Sequence, residues 1–298
     1  MAESEIAAVR NLLLSKPRPT DLAARRERMD GFGQRYPVPP DVRVDTVDAG
    51  GVRAEWTTTP GAHADRVLVF LHGGGYISGS LASHRHSVAR MGREARARTL
   101  ALDYRLAPEH PFPSALDDAL GGYRFLRATG IEPGAIAIVG ESAGGGLALA
   151  LLLRLREGGE TLPACLWLCS PWVDLALTGA SLTTKAEVGP LLQEPYLAEL
   201  AKAYLNGTDP RDPLASPLYA DLRGLPPTLV QVGSAETLLD DAVRIAGAAG
   251  AADVPTTLRI WPHMIHAWHL FHPQLAEGRA ALAEGGRFVG DHLTAVAR

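Results

Sequence analysis

The sequence is poor in the features that mark several protein classes. It has two cysteines, Cys165 and Cys169, which stand four residues apart on a predicted strand. Extended geometry holds them about 13 Å apart, which is too far for a disulfide bond. We interpret both as small buried apolar side chains in a reducing cytoplasm. The start of the chain lacks the basic and apolar segments of a signal peptide, and no apolar run approaches the length of a membrane span.

An excess of positive charge is also missing. The formal net charge is −4, from 29 Lys and Arg against 33 Asp and Glu, and the arginines are scattered along the chain. Such a distribution does not provide the basic surface that nucleic-acid binding requires. The composition, 46% hydrophobic and 21% charged, is that of an ordinary globular enzyme. We therefore expect a small-molecule substrate, with neither nucleic acid nor a membrane as a partner.

Alternating strands and helices dominate the chain from residue 66 onward. This order predicts an α/β fold with a mostly parallel, doubly wound sheet. Two short alternating runs, 42–47 and 52–58, predict an antiparallel hairpin ahead of that sheet. A helix from about 275 to 296 is predicted to close the chain.

Two segments do not follow this alternation. The first 40 residues are predicted to be helical, and 178–220 has helical character, five prolines and no strand. We predict that both pack over the carboxyl ends of the strands, where ligands bind in such sheets. The predicted organisation therefore has two cap segments, 1–40 and 178–220, and two parts of an α/β core, 41–177 and 221–298.

The run Gly140-Glu-Ser-Ala-Gly144 is the strongest motif in the chain. A buried strand, 136–139, precedes it and an alanine- and leucine-rich helix, 146–155, follows it. Glycines at both ends remove the Cβ atoms that would block so tight a turn, which predicts a nucleophile elbow with Ser142 at its corner. The alternative is an ordinary glycine-rich turn that carries a surface serine.

A nucleophilic serine also needs donors for an oxyanion. His72-Gly-Gly-Gly75 directly follows a buried strand, and its glycines allow close approach of backbone N–H groups to a ligand. We predict an oxyanion hole made by the N–H groups of Gly73, Gly74 and Ala143. His72 is a possible base, but in such a motif it more often holds the loop by hydrogen bonds.

The base is expected among the ten histidines of the chain. Three of them occur in a loop or a basic helix and are predicted to be solvated: His63, His84 and His86. His110 lies in a proline-rich loop, and four others follow the last predicted strand: His263, His266, His269 and His272. We choose His266, because His263 directly follows a proline and the last two are predicted to begin a surface segment. No carboxylate or cysteine pattern accompanies these histidines, so we reject a metal site.

The acid that orients the base should follow the preceding strand. Glu236 stands four residues beyond Val232 and is our first choice. Asp174 competes, because it follows the strand before the 178–220 segment. Asp240 and Asp241 fall in the next helix, where we expect them to cap it or to face water. The order serine, acid, histidine is that of one known hydrolase class.

Four ordered motifs carry a family resemblance over about residues 66–270: His72-Gly-Gly-Gly75, Asp103-Tyr-Arg-Leu-Ala-Pro-Glu109, Gly140-Glu-Ser-Ala-Gly-Gly145 and Ser170-Pro-Trp-Val-Asp174. Together they resemble the hormone-sensitive-lipase-like (bacterial family IV) carboxylesterases. The resemblance implies an α/β-hydrolase core with a helical cap. It also implies Ser142 as nucleophile, His266 as base and Gly73, Gly74 and Ala143 as the oxyanion hole. For the reaction we expect, no metal or organic cofactor is needed.

Three positions depart from the family pattern. Glu141 and Glu236 stand where most members have aspartate, and Ala267-Trp268 stands where many have Gly-Phe. The longer acid at 236 leaves its hydrogen bond to His266 to be tested by the structure.

We expect a serine carboxylesterase that hydrolyses short- to medium-chain esters through an acyl-enzyme. Alternatives on the same scaffold are a lactonase, an amidase or a carbohydrate deacetylase, and a non-catalytic binding protein is a weaker one. The last strand, 256–261, is predicted at a sheet edge, where it and its neighbouring helix would serve a homodimer.

Overall fold

The structure, a computed structural model, describes residues 2–15 and 18–294. Its strands form one eight-stranded sheet. In chain order these strands are β1 (Arg43–Asp48), β2 (Arg53–Thr58), β3 (His63–Leu71), β4 (Ala97–Leu102), β5 (Ile136–Glu141), β6 (Cys165–Cys169), β7 (Thr228–Gly233) and β8 (Thr256–Trp261).

The described residues also form nine α-helices: α1 (Ala2–Leu14), α2 (Leu22–Gln34), α3 (Leu81–Ala95), α4 (Ser114–Ala128), α5 (Ala143–Glu157), α6 (Ser181–Thr184), α7 (Glu194–Leu205), α8 (Leu239–Ala251) and α9 (Ala276–His292). Short 3₁₀ helices lie at Pro133–Ala135, Pro217–Tyr219 and Trp268–Phe271. The predicted closing helix is thus shorter than expected at its carboxyl end, and 295–298 lie outside the described residues. No helix in the described ranges has both the length and the apolar composition to cross a membrane.

The sheet has the spatial order β1-β2-β4-β3-β5-β6-β7-β8. The pairs β1–β2 and β2–β4 are antiparallel, and every pair from β4 to β8 is parallel. The predicted hairpin and the predicted mostly parallel sheet are therefore confirmed. β8 lies at one edge, as the sequence indicated.

The central strands are apolar on both faces because helices cover both sides of a parallel sheet. Successive residues of β3 point to opposite faces. Val67, Val69 and Leu71 join a core with α4, α5 and α8, whereas Leu68 and Phe70 join a second core with α3 and α9. These two layers hold the carboxyl ends of β3, β5, β6 and β7 in one rigid edge.

Cys165 and Cys169 lie on β6 with side chains fully buried and unpaired, as the sequence predicted. Burial raises the pKa of the Cys165 thiol to about 12. Both thiols therefore remain protonated and behave as apolar core groups.

The two helical segments that interrupt the alternation contact each other. Arg25 of α2 forms an ion pair with Glu199 of α7 at 2.6 Å, and the Arg18 guanidinium lies 3.6 Å from the centroid of the Tyr196 ring. Arg10 of α1 donates a hydrogen bond to the carbonyl of Val188. The division of the chain into core and cap stays a prediction, but these contacts bring its two proposed cap segments together.

Candidate active site

Ser142 lies at the turn between β5 and α5. Its backbone has φ 55° and ψ −121°, a conformation that costs about 1–3 kcal/mol for a residue with a Cβ. The flanking glycines are required by close approach. A Cβ on Gly140 would overlap the carbonyl of Gly144, and one on Gly144 would overlap the carbonyl of Leu71. The turn therefore has the tightness that the sequence predicted, and it presents the serine beyond the end of the sheet.

The structure brings Ser142, His266 and Glu236 into one chain of hydrogen bonds. Nε2 of His266 lies 2.9 Å from Oγ of Ser142, and Nδ1 lies 2.7 Å from Oε2 of Glu236. Ser142 and His266 are each 6% exposed, and Glu236 is fully buried. Because an ionised carboxylate only accepts hydrogen bonds, Nδ1 carries the hydrogen in the neutral ring. Nε2 is then free to accept the serine hydrogen.

The second oxygen of Glu236 is held as firmly as the first. Oε1 accepts hydrogen bonds from the hydroxyl of Ser170 at 2.8 Å and from the N–H of Gly233 at 2.7 Å. The same Ser170 hydroxyl accepts the N–H of Ala267 at 3.2 Å. Ser170 thus links the acid to the residue that follows His266. The longer side chain at 236, which departs from the family pattern, reaches the imidazole with normal geometry.

The groups around His266 raise the pKa of its imidazole. Burial lowers its pKa, but the hydrogen bond to Glu236 and the charge of that carboxylate raise it by more, and Glu141 adds to the same direction. The net pKa lies above the ordinary value of 6.5. The site therefore favours the imidazolium form that arises when His266 takes a proton.

Asp174, the competing acid, is engaged elsewhere. Its carboxylate accepts hydrogen bonds from Thr178, from the hydroxyl of Tyr219 at 2.9 Å and from Arg244 at 3.0 Å. No hydrogen bond joins it to His266 among the residues described. The sequence left Asp174 open as the acid, and of these two candidates the structure brings Glu236 to the imidazole.

Asp241 corrects an expectation. We expected it to cap a helix or to face water, but it is 2% exposed. Its carboxylate accepts the N–H groups of Val173 and Asp174 at 2.9 and 3.0 Å. Burial raises its pKa to about 8, with those two hydrogen bonds acting in the opposite direction. Sequence spacing gave no sign of this contact, because the partner backbone lies 68 residues away.

Side-chain contacts hold the glycine loop that follows β3, residues 72–75. The hydroxyl of Tyr104 donates to the carbonyl of His72 at 2.6 Å, and the two rings stack with centroids 4.1 Å apart. Nδ1 of His72 donates to the carbonyl of Gly73 at 2.8 Å. Burial, with a smaller contribution from His84, lowers the pKa of His72 to about 3, so its ring is neutral. His72 holds the loop and makes no hydrogen bond to Ser142.

The N–H groups predicted to bind the oxyanion are not used in other hydrogen bonds among the described residues. Within residues 2–15 and 18–294, nothing accepts a hydrogen bond from the N–H of Gly73, Gly74 or Ala143. Ala143 is the first residue of α5, where backbone N–H groups have no intrahelical acceptor and favour an anion.

Three histidine expectations were wrong. His84 and His86 are 1% and 4% exposed, and His269 is fully buried. The polar sequence of α3 suggested a solvated helix, yet the helix is enclosed by the sheet, α2 and α9. Nε2 of His86 donates to the carbonyl of Leu270 at 2.9 Å, and Nε2 of His269 lies 3.1 Å from Oε1 of Gln231. His63, by contrast, is exposed, as expected.

A cavity of about 250 Å³ opens onto Ser142 and His266. Its wall is largely apolar and draws on three parts of the chain. The lining includes Met29 and Phe32 of α2, Leu197 and Leu200 of α7, and Trp172 from the segment after β6. One buried carboxylate, Glu141, also lines it. The sequence analysis gave no role to Glu141, His84 or Ser170, although the first and last stand within the quoted motifs.

Comparisons with known proteins identify the family of the chain. The profile of a family described as having the alpha/beta hydrolase fold matches residues 68–270. An acetyl-hydrolase of Streptomyces hygroscopicus is 45% identical over 294 residues, which cover 97% of each chain. An esterase of Acinetobacter venetianus is 39% identical over 266 residues, covering 89% of this chain and 88% of that one.

A solved structure supports the same assignment. The crystal structure of an esterase from the bacterial hormone-sensitive lipase (HSL) family is 44% identical, covers 98% of both chains and superposes with a TM-score of 0.94. The chain therefore belongs to the α/β-hydrolase-fold family and, within it, to the bacterial hormone-sensitive-lipase group of esterases.

Proposed function

We propose that this carboxylic ester hydrolase acts by acyl transfer to Ser142. The observation that carries the proposal is the chain of hydrogen bonds from Ser142 through His266 to Glu236. The serine hydroxyl attacks the ester carbonyl while Nε2 of His266 takes its proton. Glu236 keeps the imidazole in the correct tautomer and stabilises the imidazolium.

The oxyanion of the tetrahedral intermediate is bound by the N–H groups of Gly73, Gly74 and Ala143. Their lack of other acceptors supports this role, and the loss of one such donor typically lowers kcat on the order of 100-fold. His266 then gives its proton to the leaving alcohol, and the acyl group remains on Ser142. In the second half of the reaction His266 activates a water that releases the acid and restores the serine.

The substrate is an ester with a short to medium acyl chain. A largely apolar cavity of about 250 Å³, lined on two sides by α2 and α7, supports this choice. A relative named acetyl-hydrolase, 45% identical over nearly its whole length, agrees with a small acyl group.

The test is hydrolysis of p-nitrophenyl esters from acetate to palmitate by the wild type and by Ser142→Ala. Ser234→Ala is a matched control, since that hydroxyl accepts the N–H of His263 away from the nucleophile. We expect activity that peaks at a short or medium acyl chain and is higher on butyrate than on palmitate. It should be retained in the control and abolished in Ser142→Ala. Wild-type turnover by Ser142→Ala would exclude the mechanism, and a preference for palmitate would exclude the substrate class. A folded enzyme that cleaves none of these p-nitrophenyl esters but cleaves a lactone or an acetamide would move the proposal to those classes.

A further inference from the structure

The residue before the nucleophile carries a buried charge that the proposed mechanism does not use. Glu141 ends β5 and is 3% exposed. Its carboxylate lies directly against Gly73, in the volume that a side chain at that position would fill. A buried carboxylate is costly unless it is paired, so its partners indicate what it does.

The first partner is a histidine of α3. Nε2 of His84 lies 2.9 Å from Oε2 of Glu141, and both side chains are almost fully buried. Nδ1 of His84 lies 2.7 Å from the hydroxyl of Ser83. Ser83 in turn forms a reciprocal pair of hydrogen bonds with Ser80 at the amino end of α3. The carboxylate of Glu141 is therefore tied to a rigid helix end.

The second partner is the proposed base. Oε1 of Glu141 lies 3.9 Å from Nε2 of His266, the atom that takes the serine proton. This distance is beyond hydrogen-bond range, so the two groups interact through charge. Glu236 already binds the other ring nitrogen. The imidazolium formed during the reaction would thus lie between two carboxylates.

Few other ionisable groups surround Glu141. His72 and Tyr104 stack behind the glycine loop, and Cys169 ends β6. Burial lowers the pKa of His72 to about 3 and raises the pKa values of Tyr104 and Cys169 well above their ordinary values. All three are neutral near pH 7. Among the described residues, the ionisable side chains paired with Glu141 are His84 and His266, and Glu236 and the more distant Asp241 act on His266 from elsewhere.

We propose that Glu141, anchored by His84, is a positioning residue for the esterase reaction: it sets Gly73 in the glycine loop and favours protonation of His266 as Ser142 attacks. The inference rests on the proposed function. Glu141 acts through its neighbours, so its removal should change the rate of the chemical step and the acidity of His266 more than substrate binding.

The test compares Glu141→Gln and His84→Gln with the wild type on one ester. Glu141→Gln keeps the shape of the side chain and removes its charge. We expect kcat to fall about tenfold with KM changed less than twofold. The acid limb of the kcat/KM profile should move down by about one pH unit, because His266 loses an opposite charge nearby. Glu141→Asp keeps the charge and should restore the limb toward the wild-type position.

Glu55→Gln is the matched control. Glu55 is also a buried carboxylate paired with α3, through Arg85 at 2.6 Å, but it lies on β2 away from the site. It should keep the wild-type kcat and the wild-type acid limb. His84→Gln should lower kcat as Glu141→Gln does, and the double variant should be little worse than either single one, since both remove the same unit.

A folded Glu141→Gln enzyme with wild-type kcat and an unmoved acid limb would overturn the inference. If that variant does not fold, an unchanged kcat in His84→Gln would overturn it instead. The two proposals fail separately: turnover by Ser142→Ala refutes the proposed function, whereas an inactive Ser142→Ala with an unaffected Glu141→Gln refutes only this positioning role.

Discussion

The hydroxyl of Ser170 donates a hydrogen bond to Oε1 of Glu236 over 2.8 Å. Ser170 has φ 48°, so the backbone turns sharply as it leaves β6 and aims this side chain across the end of β7. Ser170 and the N–H of Gly233 thereby hold Oε1, while Oε2 meets the imidazole. A residue that follows a different strand, β6, thus helps to orient the proposed acid.

Ser170→Ala should lower kcat/KM about tenfold while the protein stays folded. A hydrogen bond to a charged group contributes about 1.5–3 kcal/mol, and about 1.4 kcal/mol corresponds to tenfold in rate. Steady-state kinetics on p-nitrophenyl butyrate measures the effect, with Ser234→Ala as the control of the same chemical change. Equal activity in the two variants would mean that Ser170 does not orient the acid.

Glu236→Ala and Asp174→Ala should separate the two candidate acids. Loss of Glu236 should lower kcat by roughly 10³–10⁴-fold, as expected for the acid of such a triad. Loss of Asp174 should leave kcat near the wild-type value and lower Tm, because Tyr219 and Arg244 lose their shared acceptor. The reverse pattern would assign the acid to Asp174.

The pH dependence of kcat/KM should reflect the raised pKa of His266. The base must be neutral to accept the serine proton, and its pKa lies above 6.5. Activity should therefore fall as the pH is lowered through a midpoint above 6.5. Glu236→Gln removes the main group that raises this pKa, so its residual activity should persist to lower pH. Circular dichroism over the same range checks that the protein stays folded, and a wild-type midpoint below 6.5 would contradict the expectation.

Two helical glycines should respond to alanine in opposite directions. A Cβ at Gly285 of α9 would overlap the indole of the buried Trp167, whereas at Gly247 of α8 nothing lies within 4 Å. Gly285→Ala should destabilise the fold by about 1–3 kcal/mol through overpacking. Gly247→Ala should stabilise it by about 0.5–1 kcal/mol through helix propensity. Denaturant unfolding measures both, and a stabilised Gly285→Ala would show that the second core is more loosely packed than the structure indicates.

The homodimer expected from the sequence can be tested at the edge strand. Ile260 of β8 is 46% exposed and Val243 of α8 is 38% exposed, so both the edge strand and its neighbouring helix carry an exposed apolar side chain. Sedimentation should give twice the 31.7 kDa of one chain. Ile260→Lys should shift the protein to the mass of a single chain, because a charged edge strand resists pairing. A wild type that sediments as one chain would remove the proposal.

Local signals explain how well the fold and the proposed site could be predicted. The elbow around Ser142 is encoded within about ten residues, and a strand followed at once by Gly-x-Ser-x-Gly leaves little conformational choice. His266 and Glu236 could be placed because each follows a strand of a parallel sheet, and the carboxyl ends of such strands share one edge. Their mutual hydrogen bond is the consequence of that shared edge.

The features that the sequence did not reveal depend on contacts between distant segments. α3 contains histidines, arginines and serines, a composition that favours solvent exposure. It is nonetheless enclosed, because its polar groups find partners elsewhere: His84 at Glu141 and His86 at the carbonyl of Leu270. Asp241 is hidden in the same way by backbone N–H groups after β6. Periodicity along one helix carries no information about such partners.

The two buried thiols of β6 allow unfolding to be followed by thiol labelling. Cys165 and Cys169 lie fully buried on a strand bordered on both sides by other strands, and only a thiolate reacts readily with a disulfide reagent. Labelling therefore requires that β6 separate from its neighbouring strands. The labelling rate thus reports how often the middle of the sheet opens. The rate at which a chromogenic disulfide reagent reacts with the native enzyme therefore measures kinetic stability, without any engineered probe.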